Sequence, residues 1–193
     1  MANVDPWWRD SAADEELRKF DKLAHAVTII DEEHRLVHDG MAFGVGHIFA
    51  SVANGGTAAL LVSTGAEVFP HVRALDVTAE NGPLDLDFYE GVTTSNDGTA
   101  ITPANRNRAS SIVANAAWYH TPTITDLGTQ LGESFIPVAA VQGNRAVPAI
   151  ASSFGEEWVL DQNQKYALVV TNNSGGAARL QLRVFYYEIG YPS

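Results

Sequence analysis

Apolar and polar residues alternate most strictly near the C-terminal end of the chain. Leu180, Leu182, Val184 and Tyr186 fall on one face of an extended segment, and Gln181, Arg183, Phe185 and Tyr187 fall on the other. A period of two is the pattern of a half-buried strand. Leu84, Leu86 and Phe88 alternate with Asp85, Asp87 and Tyr89 in the same way. The inward sets of these two strands predict a shared core containing Leu84, Leu86, Phe88, Leu180, Leu182 and Val184. Further strands are predicted at Phe43–Val52, Ala58–Ser63, Val68–Thr78, Ser111–Tyr119, Phe135–Val141, Glu157–Leu160 and Tyr166–Thr171, with Val27, Ile29 and Ile30 opening an earlier one. Ser95-Asn96-Asp97-Gly98 and Asn172-Asn173-Ser174-Gly175-Gly176 have turn chemistry. About eight to ten strands joined by Gly, Asn and Pro turns predict a mainly β fold, an antiparallel β-sandwich or jelly-roll-like domain. Helical patterns are too few for a parallel βαβ design. Asn96–Arg108 and Thr121–Glu133 read as long loops or ribbons projecting from the sandwich.

The periodicity changes at the other end. Asp10–His25 predicts a short helix, with Ser11 as N-cap and Asp14, Glu15 and Glu16 in the first turn, where acidic groups suit the helix dipole. Leu17, Phe20 and Leu23 form its apolar stripe, and Trp7 and Trp8 precede it. Such a helix is marginal alone in water, so the stripe needs a surface to pack on. Two surfaces are open: the chain's own core, or a neighbouring subunit gripped by the arm. The predicted organisation is an N-terminal arm over 1–25 and a β-sandwich domain over 26–193.

Composition narrows the function classes. The chain has 193 residues, 18% of them charged and 46% hydrophobic, with a net charge of −11. That balance argues against nucleic acid as a partner, because phosphate binding needs a basic face. There is no cysteine, so disulfides and thiolate metal sites are excluded. The start of the chain is acidic and carries tryptophans, unlike a signal peptide. No run approaches the ~18 apolar residues of a spanning helix, and no membrane partner is expected.

Chemical motifs are sparse. His34 and His38 share one face of either a helix or a strand, but Arg35 stands where a metalloprotease motif has Glu, and no third ligand is evident. Asp85, Asp87 and Glu90 lack the ligand series of a calcium loop. There is no G-x-S-x-G elbow, no phosphate loop, and Gly44-Val45-Gly46 lacks the third glycine of a dinucleotide turn. The expectation is a non-enzyme with no catalytic residue, no cofactor and no metal. Asn105-Arg106-Asn107-Arg108 stands out in so acidic a chain. Arg106 and Arg108 either reach carboxylates of a neighbour or tie their loop to its own sandwich. With Trp7, Trp8, Leu17, Phe20 and Leu23 they make up the candidate assembly interface.

Several separated segments carry a resemblance. They are Glu33-His34-Arg35-Leu36-Val37-His38-Asp39-Gly40, the run from Phe88 to Thr99, Asn105–Arg108, Tyr119-His120-Thr121-Pro122-Thr123, Thr171–Ser174 and Tyr186-Tyr187-Glu188. Over Ala26–Glu188 the chain resembles a group of small β-rich structural proteins of tailed bacteriophages. Members of that group often have a second His where this chain has Arg35. The resemblance implies a virion protein and brings no catalytic residue with it. The expected role is a capsid decoration or cement protein that binds the major capsid protein or other virion proteins at the capsid surface. It is expected to be a homo-oligomer, with a trimer favoured over a dimer because such proteins sit at symmetry axes. The alternative is a receptor- or glycan-binding module of a head fibre or tail structure, with Trp118, Tyr119 and Trp158 as stacking candidates.

Overall fold

The computed structural model describes residues 32–137, 149–152 and 157–190, of which 149–152 are described by their backbone alone. The helix expected over Asp10–His25, the strand expected at Val27–Ile30, and Trp7, Trp8, Leu17, Phe20 and Leu23 lie outside the described residues. Among the described residues one short helix, α1 (Glu32–His38), precedes the strands. Those strands are β1 (Ala42–Val52), β2 (Thr57–Ser63), β3 (Phe69–Ala79), β4 (Leu84–Glu90), β5 (Thr93–Asn96), β6 (Thr99–Ile101) and β7 (Ala104–Asn105). They continue with β8 (Ala117–His120), β9 (Thr123–Asp126), β10 (Thr129–Ile136), β11 (Ala149–Ser152), β12 (Trp158–Val159), β13 (Lys165–Asn172) and β14 (Ala178–Ile189).

The fold is mainly β and antiparallel. One sheet has the order β11-β3-β14-β1-β7, with β12 also on β3, and the second has the order β10-β4-β13-β2-β8-β6. Their inner faces share one core. Leu84, Leu86 and Phe88 of β4 meet Leu180, Leu182 and Val184 of β14 there, all fully or almost fully buried, as their alternation predicts. Trp118, Tyr166, Tyr186 and Phe43 are among the largest side chains in it. Arrangement into two stacked layers follows from strands that are apolar on one face only.

One end of the sandwich is tied by Asn172, which is 0% exposed. Its amide nitrogen donates to the carbonyls of Val52 and Gly176, at 2.8 Å each, and its side-chain oxygen accepts from Ser174 N at 3.0 Å. Its main chain exchanges bonds with Gly55 and Gly56 in the β1–β2 turn. A buried amide with every group satisfied specifies geometry more sharply than an apolar residue of its size.

Residues 91–128, between β4 and β10, differ most from the sequence expectation. Asn96–Arg108 and Thr121–Glu133 do not project. β7 pairs with the β1 edge of the first sheet, β8 and β6 extend the second sheet past β2, and the β5–β9 ribbon lies over the second sheet's outer face. Under that ribbon Leu61, Val92, Ala167 and Val169 form a small second core. Thr129–Glu133 belongs to β10 and pairs with β4. The strand expected at Ser111–Tyr119 is reduced to Ala117–His120, because Ser111, Ile112 and Val113 are exposed and lie outside any strand. These segments pair through their backbones at edges, where no strict alternation is required of the side chains.

Glu188 holds the insertion in place. It is 3% exposed and continues the inward face of β14. Its two carboxylate oxygens accept hydrogen bonds from Asn115 N and Ala116 N, each at 2.8 Å. Burial raises the Glu188 carboxyl above the usual range, and the two amide bonds pull it part of the way back. Glu188→Ala should cost about 2–4 kcal/mol, because two amides at the end of the link lose their acceptor. Chemical denaturation measures that cost, and limited proteolysis should then cut first within 106–116. Stability within about 0.5 kcal/mol of the parent would show that the clamp is not needed.

Candidate functional site

The two outer faces of the sandwich are unlike. The second sheet's outer face is largely covered by the chain's own ribbon. The first sheet is covered at one end, where Leu36 packs with Ala42 and Tyr187. Beyond that end, β1 and β14 carry a shallow groove of about 710 Å³, whose walls include Ile101, Ala104 and Arg106.

Two glycines make this groove. Gly44 lies opposite Phe185 and Gly46 lies opposite Arg183 in the β1–β14 register. A Cβ on Gly44 would stand 3.4 Å from the Phe185 ring, and one on Gly46 would stand 2.9 Å from both Arg183 Cγ and the Leu182 carbonyl oxygen. A glycine inside a strand often marks a close approach by another group. Here Phe185 and the Arg183 stem approach β1 at its two glycines. The Arg183 guanidinium sits 5.0 Å from the Phe185 ring centroid and that of Arg106 sits 5.7 Å from it. Both are cation–π distances. Ile48, 45% exposed, extends the same face.

The asparagines of Asn105-Arg106-Asn107-Arg108 do the tying. Asn105 Nδ2 donates to the carbonyls of Gly40 (2.7 Å) and Ile112 (2.9 Å), and Asn107 Nδ2 donates to that of His38 (2.8 Å). Arg106 N donates to Ala42 O at 2.9 Å, and its exposed side chain leans over Phe185. Arg108 is also exposed, makes a long bond of 3.4 Å to Asn105 O, and is not part of the groove wall. The structure thus separates the two candidate arginines: Arg106 joins Arg183 and Phe185, and Arg108 does not.

Two other clusters were not visible in the sequence. His47 of β1 and His120 of β8 stack with ring centroids 3.6 Å apart and planes 8° from parallel, and Phe49 packs edge-on against both. Desolvation, and then the neighbouring His120, hold the His47 imidazole below its ordinary pKa. Glu157 accepts bonds from His71 Nδ1 (2.6 Å), Arg73 (2.9 Å) and the Tyr187 hydroxyl. Burial alone would raise the Glu157 carboxyl, but these three donors outweigh it and hold it low. This second cluster anchors the residue before β12 to the outer side of β3 and β14.

The suspects raised by sequence have plain settings. His34 and His38 are exposed, and His38 ends α1. Asp85 and Asp87 lie on the outer side of β4, with Asp87 opposite Glu133 of β10. Burial, then Asp85, then Glu133 raise the Asp87 carboxyl, against a hydrogen bond from Gln130. Among the described residues no group of three or more His, Asp or Glu is placed to hold a metal ion. No protein-family model matches the chain, and no curated protein matches it.

Two outcomes test this description. Gly46→Ala should cost about 1–3 kcal/mol in denaturant unfolding, because its Cβ meets a backbone carbonyl as well as the Arg183 stem. The histidine stack should make stability depend on pH. The fold lowers the His47 pKa below 6.5, so the unfolded chain binds the proton first. The contribution of His47 is therefore complete above about pH 6.5 and falls away as pH drops through its folded pKa. Denaturation between pH 7 and pH 5 should show this loss, and His120→Phe, which keeps a ring in the stack, should reduce it. An unchanged pH profile in that variant would remove the stack as its cause.

Proposed function

We propose that this chain is a virion structural protein of a tailed bacteriophage, a capsid decoration protein that binds and stabilises the head shell. The observation that carries the reading is the strand order. In chain order β1, β2, β3 and β4 alternate between the sheets, β10 stays beside β4, and β11, β13 and β14 alternate again. On this reading the resulting four-strand sets, β11-β3-β14-β1 and β10-β4-β13-β2, correspond to the two sheets of a jelly roll, an architecture used by viral capsid domains and by lectins. The resemblance of the separated segments to tailed-phage virion proteins favours the capsid branch. So does the management of edges, because a shell subunit displayed in many copies must not pair edge to edge at random.

The lectin branch has less support. Trp118 is 1% exposed within the core, Trp158 packs against that core, and Tyr119 packs against the small core under the ribbon. Trp118 offers no open ring to a sugar, and Tyr119 and Trp158 are each half-buried. On the proposed reading the partners are the major capsid protein and further copies of this chain, with a trimer favoured over a dimer at the capsid surface. The groove face of the first sheet is the proposed contact surface.

The purified chain, added to heads that lack it, should bind at a copy number comparable to the number of capsomers, and light scattering should find it oligomeric. Binding of only a handful of copies at one vertex would favour a fibre or tail part. No binding to heads at all would remove the decoration role.

A further inference from the structure

We infer that Asn81–Gly82, in the connection from β3 to β4, is a self-modification site, where the chain converts its own asparagine to aspartyl and isoaspartyl forms by reaction with water. The inference does not depend on the assembly reading. The sequence has four steps in which Asn or Asp precedes glycine: Asp39–Gly40, Asn54–Gly55, Asn81–Gly82 and Asp97–Gly98. Glycine in the second place leaves its nitrogen unhindered, because no Cβ stands beside it. That nitrogen is the nucleophile of the reaction, so its hydrogen bonding decides which step proceeds.

In three of the four steps the glycine nitrogen is engaged. Gly40 N donates to Val37 O at 3.1 Å, Gly55 N donates to Asn172 O at 2.6 Å, and Gly98 N donates to Asn96 Oδ1 at 2.8 Å. These glycines also hold φ values of 76°, 74° and 94°, fixed by their turns. The Asn54 side chain is pinned as well, since its Oδ1 accepts from Gly175 N at 2.8 Å. Gly82 differs. Among the described residues no hydrogen bond engages Gly82 N or the Asn81 amide. Asn81 is exposed, so water reaches it. Gly82 is covered by its neighbours, but no bond has to break for its nitrogen to turn toward Asn81 Cγ. The chain is held on either side of the step, where Glu80 N donates to Arg179 O and Asn173 N donates to Pro83 O, both at 3.1 Å.

The chemistry needs only water. Gly82 N gives up its proton and forms a bond to Asn81 Cγ. The Cγ–Nδ2 bond breaks, and the amide leaves as ammonia with a proton taken back from water. Water then opens the five-membered imide at one of its two carbonyls. One opening leaves an aspartyl residue, and the other leaves an isoaspartyl residue whose main chain runs through Cβ. Either product adds a carboxylate beside Glu80 in a chain of net charge −11. The isoaspartyl form also lengthens the main chain between two held points, where it passes from the first sheet to the second.

The test ages the full folded chain in mildly alkaline buffer and follows it by peptide mapping with fragmentation and by isoaspartyl methyltransferase labelling. A gain of about 1 Da is expected at Asn81, as ammonia leaves and water enters. It should appear at least about tenfold faster than at Asn54, where two hydrogen bonds must open first. Asn81→Gln keeps an exposed amide but does not close the five-membered ring, so it should lose the signal with circular dichroism unchanged. In urea, where the fold's hydrogen bonds are gone, Asn54 should catch up with Asn81. No gain at Asn81 in the folded chain, or equal rates at Asn54 and Asn81 there, overturns the inference. So does an Asn54 that lags to the same extent in urea, because the fold is then not what selects the step.

Discussion

Glu188 closes one end of the sandwich by accepting hydrogen bonds from two successive backbone amides, those of Asn115 and Ala116. The position of those amides explains why so much depends on it. β7 lies on the edge of the first sheet and β8 lies between β2 and the edge strand β6 of the second, so residues 106–116 must cross from one layer to the other. Glu188 stands on β14, which is flanked by β1 and β3, and it grips the crossing where it reaches β8. Burying a carboxylate costs free energy, which is why the Glu188 carboxyl is raised. Two well-aligned amide donors offset that cost only when the link lies in this one position. The group thus favours a single path over its alternatives more than it adds to total stability.

The rest of the surface follows from that crossing. Once residues 106–116 are fixed, β7 pairs with β1 at Phe43 and Gly44, and β8 with β6 extends the second sheet past β2. The ribbon of β5 and β9 is then brought over the second sheet's outer face. Lys165 of β13 reaches it there, donating to Thr94 (3.0 Å) and Asp97 (2.6 Å) and holding the Asp97 carboxyl low. An edge-strand liability becomes an asymmetry between faces. One outer face has its own ribbon over a small second core, and the other keeps an aromatic ring and two guanidinium groups at its surface.

The sandwich was legible because β4 and β14, at its centre, are buried mainly on one face. The alternations at Leu84–Phe88 and Leu180–Tyr186 gave the inward residues, and the turn chemistry of Asn172–Gly176 gave the reversal between β13 and β14. The insertion was not legible as strands, since Thr93–Asn96, Thr99–Ile101 and Thr123–Asp126 are short, mostly exposed, and joined through backbone bonds that impose little pattern on side chains. Arg106 stood out as a cation in an acidic chain, but its companions did not. Phe185 and Arg183 read only as the polar-facing side of a good strand. Gly44-Val45-Gly46 was informative only as a failed dinucleotide motif, although paired glycines inside an apolar strand run signal a close approach by something across the sheet. His47 with His120, and Glu157 with His71, meet across 73 and 86 residues of sequence, and no local spacing foretells such pairs.

The glycine lane also bears on whether folding alone accounts for the arginine patch. A glycine within a strand costs about 0.5–1 kcal/mol relative to alanine, so two of them in β1 cost about 1–2 kcal/mol. A cation–π contact at an exposed site returns about 0.5–1 kcal/mol, so the two contacts on Phe185 recover about the same amount. The arrangement is close to neutral for stability. A β-branched pair at these positions, with polar side chains lying above it, would make a stronger and simpler strand. What the glycines add is order, since they let Phe185 lie across β1 and hold two long, rotamer-rich side chains against it. Ordering side chains before a partner arrives lowers the entropy lost on binding. The glycine lane thus leaves folding nearly unchanged while fixing two guanidinium groups 5.0 and 5.7 Å from one ring.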